Sequence, residues 1–554
     1  MFNLNEENFP YGDENLHRLQ KQIDIVNNCG KSTIIKAPAG FGKTLIGMIW
    51  LSKDNRKTII VCPRNVVAKS NYRSIISELK AFGIDNVKVE LFLTGEVVEK
   101  NHNDDGEFNS DIIITNIDNF ESPTYKDNIS SRLFTIMSAN VIFDEYHEFV
   151  SGLPLFGNFV NIMRARHRYC DSKTMLLSAT PVDINYFWDG DEDNKTVILP
   201  DENNHYSASH DSKYIIRVTD DYNYDVKGSD ITICNSISEA QFIKHKINAK
   251  TLFHSELTSE KRASVYDYIM DNYDKFSDQF ENKESVVSSL ITQASLDVSF
   301  HKLYESVLSP ETSLQRLGRC NRFNSFIEKS IYTIFKLKDR NGRNCYSQSE
   351  KSVLENFYTQ ELSDAWYDEM KAYDGQELTL DEIYKIYNNH VKKYSRKRKA
   401  LFNKMFLGSL TYLTNLYPYK FTTEKDDDVI SAGSNKLRSV GSETFFIVRL
   451  HGSDDQYVGP FTTSIYHSYE NDFNEDGSTL HRMKQAIKAI VNSGDDRFDY
   501  QELTKTKKRF ERLSLDGLRK YGKKSNTPYI RFDKVYHPEY GVISENLLNM
   551  IQSI

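Results

Sequence analysis

Short apolar runs rich in β-branched residues recur along the first third of the chain: STIIKA at 32–37, KTIIVC at 57–62, DIIIT at 111–115, NVIFDE at 140–145 and TMLLSAT at 174–180. They are continuous rather than alternating, so each is expected as a strand buried on both faces. Between them lie stretches with apolar residues at helical spacing, such as Thr44 to Leu51 and Asn71 to Leu79. Strand and helix in alternation predict an α/β architecture, a parallel sheet covered on both sides.

From Phe187 to Lys213 this pattern dissolves into an acidic, asparagine-rich segment with few apolar residues. A second strand series follows, with DITICN at 230–235, TLFHS at 251–255, SVVSSLIT at 285–292 and SIYTIF at 330–335. Beyond Lys336 the texture turns to tyrosine- and lysine-rich helical stretches, with strand-like pieces at TFFIVRL (444–450) and YIRF (529–532). The pattern predicts an α/β domain over residues 1–190, an acidic linker over 191–213, a second α/β domain over 214–338 and a mixed, mainly helical accessory region over 339–554.

Composition narrows the class. A chain of 554 residues is more than one core usually organises. With 39% hydrophobic and 27% charged residues it reads as soluble and globular. No apolar stretch has the length of a membrane helix, and the start, MFNLNEENFPYGDEN, is acidic where a secretory signal is basic and then apolar. A cytoplasmic location is expected, in a prokaryote or in the host of a virus that encodes the protein, with no membrane partner. The six cysteines show no CxxC pair, so neither zinc nor a disulfide framework is expected. A net charge of −8 requires any nucleic-acid partner to be held in a local basic groove. Screening confines each charge to about 10 Å, so acidity elsewhere does not oppose this.

The chemistry begins at Ala37-Pro38-Ala39-Gly40-Phe41-Gly42-Lys43-Thr44, between a buried strand and a helix. Glycines let backbone amides turn inward around a triphosphate, and the helix start adds its positive end. Ala39, Gly40, Phe41, Gly42, Lys43 and Thr44 are therefore the expected ATP cradle. Lys43 would neutralise the β- and γ-phosphates, and the Thr44 hydroxyl would ligate Mg²⁺.

Asp144-Glu145-Tyr146-His147 ends the apolar run NVIF, which brings two carboxylates to the edge where α/β ligands collect. Asp144 is placed to hold Mg²⁺ and Glu145 to activate water. Ser178-Ala179-Thr180 follows the strand TMLL and reaches the same edge, so Ser178 and Thr180 are expected to couple nucleotide state to the neighbouring domain. In the second domain, Gln315-Arg316-Leu317-Gly318-Arg319-Cys320-Asn321-Arg322 presents three guanidinium groups. Arg319 and Arg322 are read at helical spacing on one face, where forks from a facing domain would meet γ-phosphate charge. Gln315 and His147 are expected in the same catalytic set.

The order of these elements resembles a superfamily-two helicase, and one branch fits especially well: the helicase portion of the type I CRISPR helicase-nucleases, the Cas-three family. The carrying residues are Thr115-Asn116-Ile117-Asp118, the DEYH at 144–147, Ser178-Ala179-Thr180, Cys234-Asn235-Ser236 and Phe253-His254-Ser255-Glu256-Leu257 with Arg262. Most specific are Thr292-Gln293-Ala294-Ser295-Leu296-Asp297, Leu308-Ser309-Pro310 and QRLGRCNR at 315–322. The resemblance covers roughly residues 15–335. It implies two tandem RecA-like domains, with Gln20 reading adenine, Asp297 near the ribose and 3′→5′ movement on single-stranded DNA. That family usually carries a metal-dependent HD nuclease before the helicase. Here His210-Asp211 stands without companion histidines, so a motor lacking its own nuclease is expected.

Nucleic acid in this architecture lies across the tops of both domains, gripped through phosphates without regard to base. The expected contacts are Pro63, Arg64, Asn65, Thr115, Asp118, Asn235, Ser236 and Thr292, on single-stranded or forked DNA. The basic runs 392–399 and 505–509, with Tyr384, Tyr387 and Tyr394, add candidate phosphate and stacking contacts. An effector complex or a replication protein would be a natural partner. The sequence leaves open an RNA helicase, a nucleotide-binding adaptor or inhibitor that mimics or recruits a helicase, and the oligomeric state.

Overall fold

The computed structural model describes residues 16–36, 42–54, 56–93, 98–102, 108–121, 130–151, 153–180, 194–198, 212–220, 229–273, 284–292, 298–322, 326, 329–336, 360–416, 442–447, 458–464, 529–531 and 534–552. The first lobe contains strands β1 (32–36), β2 (58–62), β3 (89–92), β4 (99–100), β5 (112–116), β6 (140–143), β7 (174–178) and β8 (194–198). Its helices are α1 (16–27), α2 (43–54), α3 (65–81), α4 (117–121), α5 (130–138) and α6 (153–169). The strands form one sheet in the order β4-β3-β5-β2-β6-β7-β1-β8, parallel except for β4 against β3. The apolar runs become β1, β2, β5, β6 and β7, whose residues are buried almost throughout. Two apolar layers sandwich the sheet: one holds Leu19, Trp50 and Leu79, the other Phe120, Phe143 and Phe159.

The second lobe contains β9 (213–219), β10 (230–233), β11 (251–253), β12 (286–288), β13 (302–306), β14 (330–335) and β15 (377–379). Its helices are α7 (237–246), α8 (259–273), α9 (310–317), α10 (360–371) and α11 (380–393). The sheet order is β11-β12-β10-β13-β14-β9-β15, with β15 alone antiparallel. Two parallel-dominated sheets with helices on their faces are the tandem RecA-like architecture. Farther along lie α12 (395–416), a small sheet of β16 (442–447), β17 (458–464) and β18 (529–531), the hairpin β19 (534–537) and β20 (541–544), and α13 (545–552).

The expected boundaries move at two places. Within 191–213, read as linker, β8 pairs with β1 in parallel, Ser32 opposite Asn194, and extends the first sheet. An edge strand needs pairing on one side only, so an acidic segment can supply one that periodicity misses. Residues after 338, read as accessory, complete the second lobe: β15 pairs with β9, and Trp366, Met370, Ile383 and Tyr387 join its core. The C-terminal hairpin also belongs to that lobe. Val535, Tyr540 and Ile543 pack with Cys234, Ile243 and Val287.

Among the described residues no helix is long and apolar enough to cross a membrane. Among them, too, no group of three or more histidine, cysteine or acidic residues is placed to hold a metal ion.

Candidate active site

The strand ends of the first lobe and α9 of the second meet in one cleft. α2 begins at Lys43, directly after the loop that leaves β1. Gly42 has φ +83°, and a Cβ there would lie 2.7 Å from Gln22 Nε2, so this position requires glycine. Gln22 Nε2 donates to the Gly42 carbonyl at 3.3 Å. Gln20, expected to read adenine, is exposed on α1 and donates to Asp24. Positions two apart on a helix point about 200° apart, so only one of Gln20 and Gln22 can face the loop. Leu19, Ile23 and Val26 mark the buried face, and Gln22 shares it. Ala39, Gly40, Phe41, Asp297, His210, Asp211 and residues 505–509 lie outside the described residues. Lys43 and Thr44 open the helix, which fixes their backbone at the loop exit.

Asp144 follows β6 directly, and its amide donates to Val61 O on the neighbouring strand. Asn71 of α3 donates to Asp144 Oδ2 at 3.0 Å and to Cys62 Sγ at 3.3 Å, which orients the carboxylate. The sequence reading missed Asn71, because a helix residue nine positions beyond its strand neighbour carries no motif. Glu145 has φ +48°, a left-handed conformation uncommon outside glycine. This turn separates Glu145 from the direction of β6, and its Oε2 lies 3.4 Å from His147 Nδ1.

His147 is the junction of the cleft. Its Nδ1 lies 2.7 Å from Ser178 Oγ, and its Nε2 meets the side-chain amide of Gln315 from α9. With the amide nitrogen facing the ring, Nε2 accepts and Nδ1 carries the proton toward Ser178. Thr180 N donates to Ser178 Oγ at 3.0 Å, and Gln315 Nε2 also reaches Thr180 Oγ1 at 3.4 Å. DEYH, SAT and QRLGRCNR therefore touch each other across the two lobes. Arg64 makes a second crossing: it donates to Glu148 Oε2 at 2.9 Å in its own lobe and to Leu290 O at 3.4 Å in the other.

The three arginines divide. α9 ends at Leu317 with Gly318 as its cap, so Arg319 and Arg322 occupy the following turn rather than one helical face. A glycine at a helix end lowers the cost of stopping there, which overrides the three-residue spacing. Arg319 is largely buried and Arg322 partly so. Arg316 is fully buried, donates to Ser306 O and Asn235 Oδ1 at 2.6 Å each, and lies 3.7 Å from Glu305 Oε2. Burial raises the Glu305 carboxyl pKa, while Arg316, Ser313 and Tyr332 oppose that rise.

Several expected nucleic-acid contacts have their side chains turned inward. Thr115 donates to Phe92 O, buried Asn235 bonds Ser306, Val307 and Arg316, and buried Thr292 reaches Ser289 O. Each finishes a strand end or loop inside the fold, where a hydroxyl or amide has to be satisfied. Pro63 is buried as well, Asn65 accepts from Asn116, and Ser236 caps α7. Asp118 is half-buried at the start of α4. Within the run 392–399 Arg398 turns inward to pair with buried Glu311, whereas Lys392, Lys393, Arg396, Lys397 and Lys399 are exposed, with Lys397 pairing with Glu361 and Lys393 and Lys397 over the Tyr394 ring. Tyr387 is buried, and the Tyr394 ring packs against His390 at a centroid distance of 4.8 Å with the planes tilted by 47°.

Comparison with known proteins agrees with this geometry. Residues 19–186 match the DEAD/DEAH box helicase family, and residues 227–325 match the family described as CRISPR-associated nuclease/helicase Cas3, C-terminal. No curated protein is significantly similar to the chain. Among solved structures, T. fusca Cas3 with AMPPNP is 13% identical and covers 97% of this chain and 69% of its own, with a TM-score of 0.59. T. fusca Cas3 with ATP gives 14% identity, 97% and 71% coverage and a TM-score of 0.60. A crystal structure described as a CRISPR-associated protein gives 14%, 97%, 70% and 0.60. This chain carries an ATP-hydrolysing helicase module, a DEAD/DEAH box helicase domain followed by a Cas3-like C-terminal domain.

Proposed function

We propose that the protein is a motor that moves 3′→5′ on single-stranded or forked DNA, closing its two lobes around ATP and reopening after hydrolysis. The observation that carries this reading is the contact of Gln315 with His147 and Thr180, which ties the hydrolytic strand ends of one lobe to the arginine-bearing turn of the other. The structures of T. fusca Cas3 with AMPPNP and with ATP support nucleotide as the fuel. Lys43 and the amides of the loop would hold the phosphates, and Gln22 braces the loop from behind.

Oxygen donors suit a hard divalent cation, and Asp144, held by Asn71 at the strand edge beside α2, fits such a role together with Thr44. Mg²⁺ bound there would offset triphosphate charge. Glu145 would orient and deprotonate the attacking water, while Arg319 and Arg322 would answer charge on the γ-phosphate. Asp297 would lie near the ribose. Arg64, Asn65, Asp118 and Ser236, with backbone amides of both sheet edges, would grip DNA phosphates.

The test is ATP hydrolysis with single-stranded DNA, duplex DNA and RNA in parallel, and strand displacement on forks with 3′ or 5′ tails. Turnover stimulated by single-stranded DNA and displacement only from 3′ tails are expected. Lys43→Ala should lower turnover by about 10³-fold or more through lost phosphate compensation. Stimulation by RNA alone would remove the DNA assignment, and wild-type turnover in Lys43→Ala would remove the motor.

A further inference from the structure

Two consecutive helices join the lobes at a point the helicase motifs do not explain. α11 starts from a capping box, with Thr379 and Glu382 bonding each other's backbone, and buries Leu380, Ile383, Ile386 and Tyr387 in the second lobe's core. One residue later α12 leaves for the first lobe. Its Phe402 lies in that lobe's core, with Phe402 and Phe406 ring centroids 4.7 and 5.9 Å from that of Phe156 on α6. Any rotation of one lobe against the other must therefore bend the chain at Tyr394 or slide α12 on α6.

Side chains from four elements converge beside this bend. Glu311, in the first turn of α9, is buried; it pairs with Arg398 of α12 and accepts from Tyr387 of α11 at 3.4 Å. Lys36, the last residue of β1 before the phosphate loop, donates to Asn388 Oδ1 of α11 at 2.6 Å, and its ammonium lies 5.2 Å from the Tyr387 ring centroid. Burial lowers the Lys36 pKa to about 8, opposed by the charge of Glu311. Burial acts to raise the Glu311 carboxyl, and Arg398 outweighs it, so that carboxyl stays below its ordinary range. The strand that leads to the phosphates and the helix that carries Gln315 are thus bound to the same pair of connecting helices.

We propose that Lys36, Asn388, Tyr387, Glu311 and Arg398 form an inter-lobe latch through which α11 and α12 set how readily the nucleotide cleft closes. Lys36 is a positioning residue: it acts on the phosphate loop through β1 and touches no substrate. The proposal rests on the ATP-driven closure proposed above. Holding the lobes near each other raises the fraction of molecules competent to bind ATP, so loss of the latch lowers apparent affinity by that fraction and spares the chemical step.

The test uses the full chain. Lys36→Met and Asn388→Ala are each measured for ATP turnover with saturating DNA, for melting temperature, and for compaction by small-angle scattering as a non-hydrolysable ATP analogue is added. In Lys36→Met the KM for ATP should rise about fivefold to twentyfold with kcat within twofold of wild type, and half-maximal compaction should need correspondingly more analogue. Asn388→Ala should shift in the same direction, and the double variant should be no worse than Lys36→Met alone. Lys36→Arg should recover most of the KM. Unchanged KM and compaction in Lys36→Met, beside a responsive wild type, would overturn the latch alone. So would additive single effects, or a fall in melting temperature without a KM shift. A wild type that neither hydrolyses ATP nor compacts would overturn the motor reading and the latch with it.

Discussion

The two lobes use charged residues at their motif positions in opposite ways. In the first, Asp144, Glu145 and His147 stand at the carboxyl edge of the sheet, partly accessible from the cleft and steered by neighbours such as Asn71 and Ser178. In the second, Arg316, Asn235 and Glu305 lie inside the lobe, where they bond one another and the end of β13. The same kind of sequence signal, a charged or amide residue in a compact motif, therefore faces the cleft at Asp144, Glu145 and His147 and supports the fold at Arg316 and Asn235. The difference follows from dielectric: a buried guanidinium is tolerable only when its donors are satisfied, which fixes the backbone around it.

Substitution can break this comparison. Glu145→Gln keeps shape and removes the proposed base, so turnover should fall by about 10²–10⁴-fold with the melting temperature within a degree or two. Arg316→Met should act through the fold, leaving Glu305 buried without its counter-charge at a cost of about 3–5 kcal/mol. Chemical denaturation would measure it, and pairing the change with Glu305→Leu should return much of the loss. Arg319→Ala should resemble Glu145→Gln; if it lowers stability like Arg316→Met and spares turnover, the division within QRLGRCNR is misdrawn.

A smaller effect concerns His254, which is buried and held between Glu256 N and Tyr540 O at 3.1 and 3.0 Å. The amide of Glu256 donates to Nδ1, so Nε2 carries the proton and the ring is neutral. Burial lowers its pKa from 6.5 to about 4, so the unfolded chain takes up a proton first as pH falls. Its contribution is complete above pH 6.5 and is lost down to about pH 4, amounting to about 3 kcal/mol. Melting curves across that range should flatten in His254→Asn. Smallest is the glutamine pair: Gln22→Ala should raise the KM for ATP severalfold through a loosened Gly42 loop, whereas Gln20→Ala should leave it within twofold.

Much of this was legible in advance. The five apolar runs of the first lobe and four in the second became strands because nothing but burial on both faces satisfies such sequences. The sequence reading misses Gln22 and the end of α9, since it names Gln20 and places Arg319 and Arg322 on one helical face, although the periodicity of Leu19, Ile23 and Val26 and the presence of Gly318 carried the signal for both. β8 was not legible, since an edge strand needs little apolar character. Nor was Glu305, whose partners Ser313, Arg316 and Tyr332 come together only when β13, α9 and β14 pack. Motif residues such as Thr115 and Asn235 looked like surface contacts because sequence records a polar group without recording what satisfies it.

Gly541 turns the terminal hairpin with φ +70°, and a Cβ there would lie 2.7 Å from Glu256 O and 2.8 Å from His254 Cε1. Gln241 meanwhile donates to the carbonyls of both Tyr540 and Val542. A segment nearly three hundred residues downstream is thus clamped to the second sheet's outer helix. An excised fragment stopping at residue 416, which keeps β15 and the helices of the second lobe, would expose the apolar seat of Val535, Tyr540 and Ile543 and should aggregate, whereas adding the terminal segment back as a separate peptide should restore solubility.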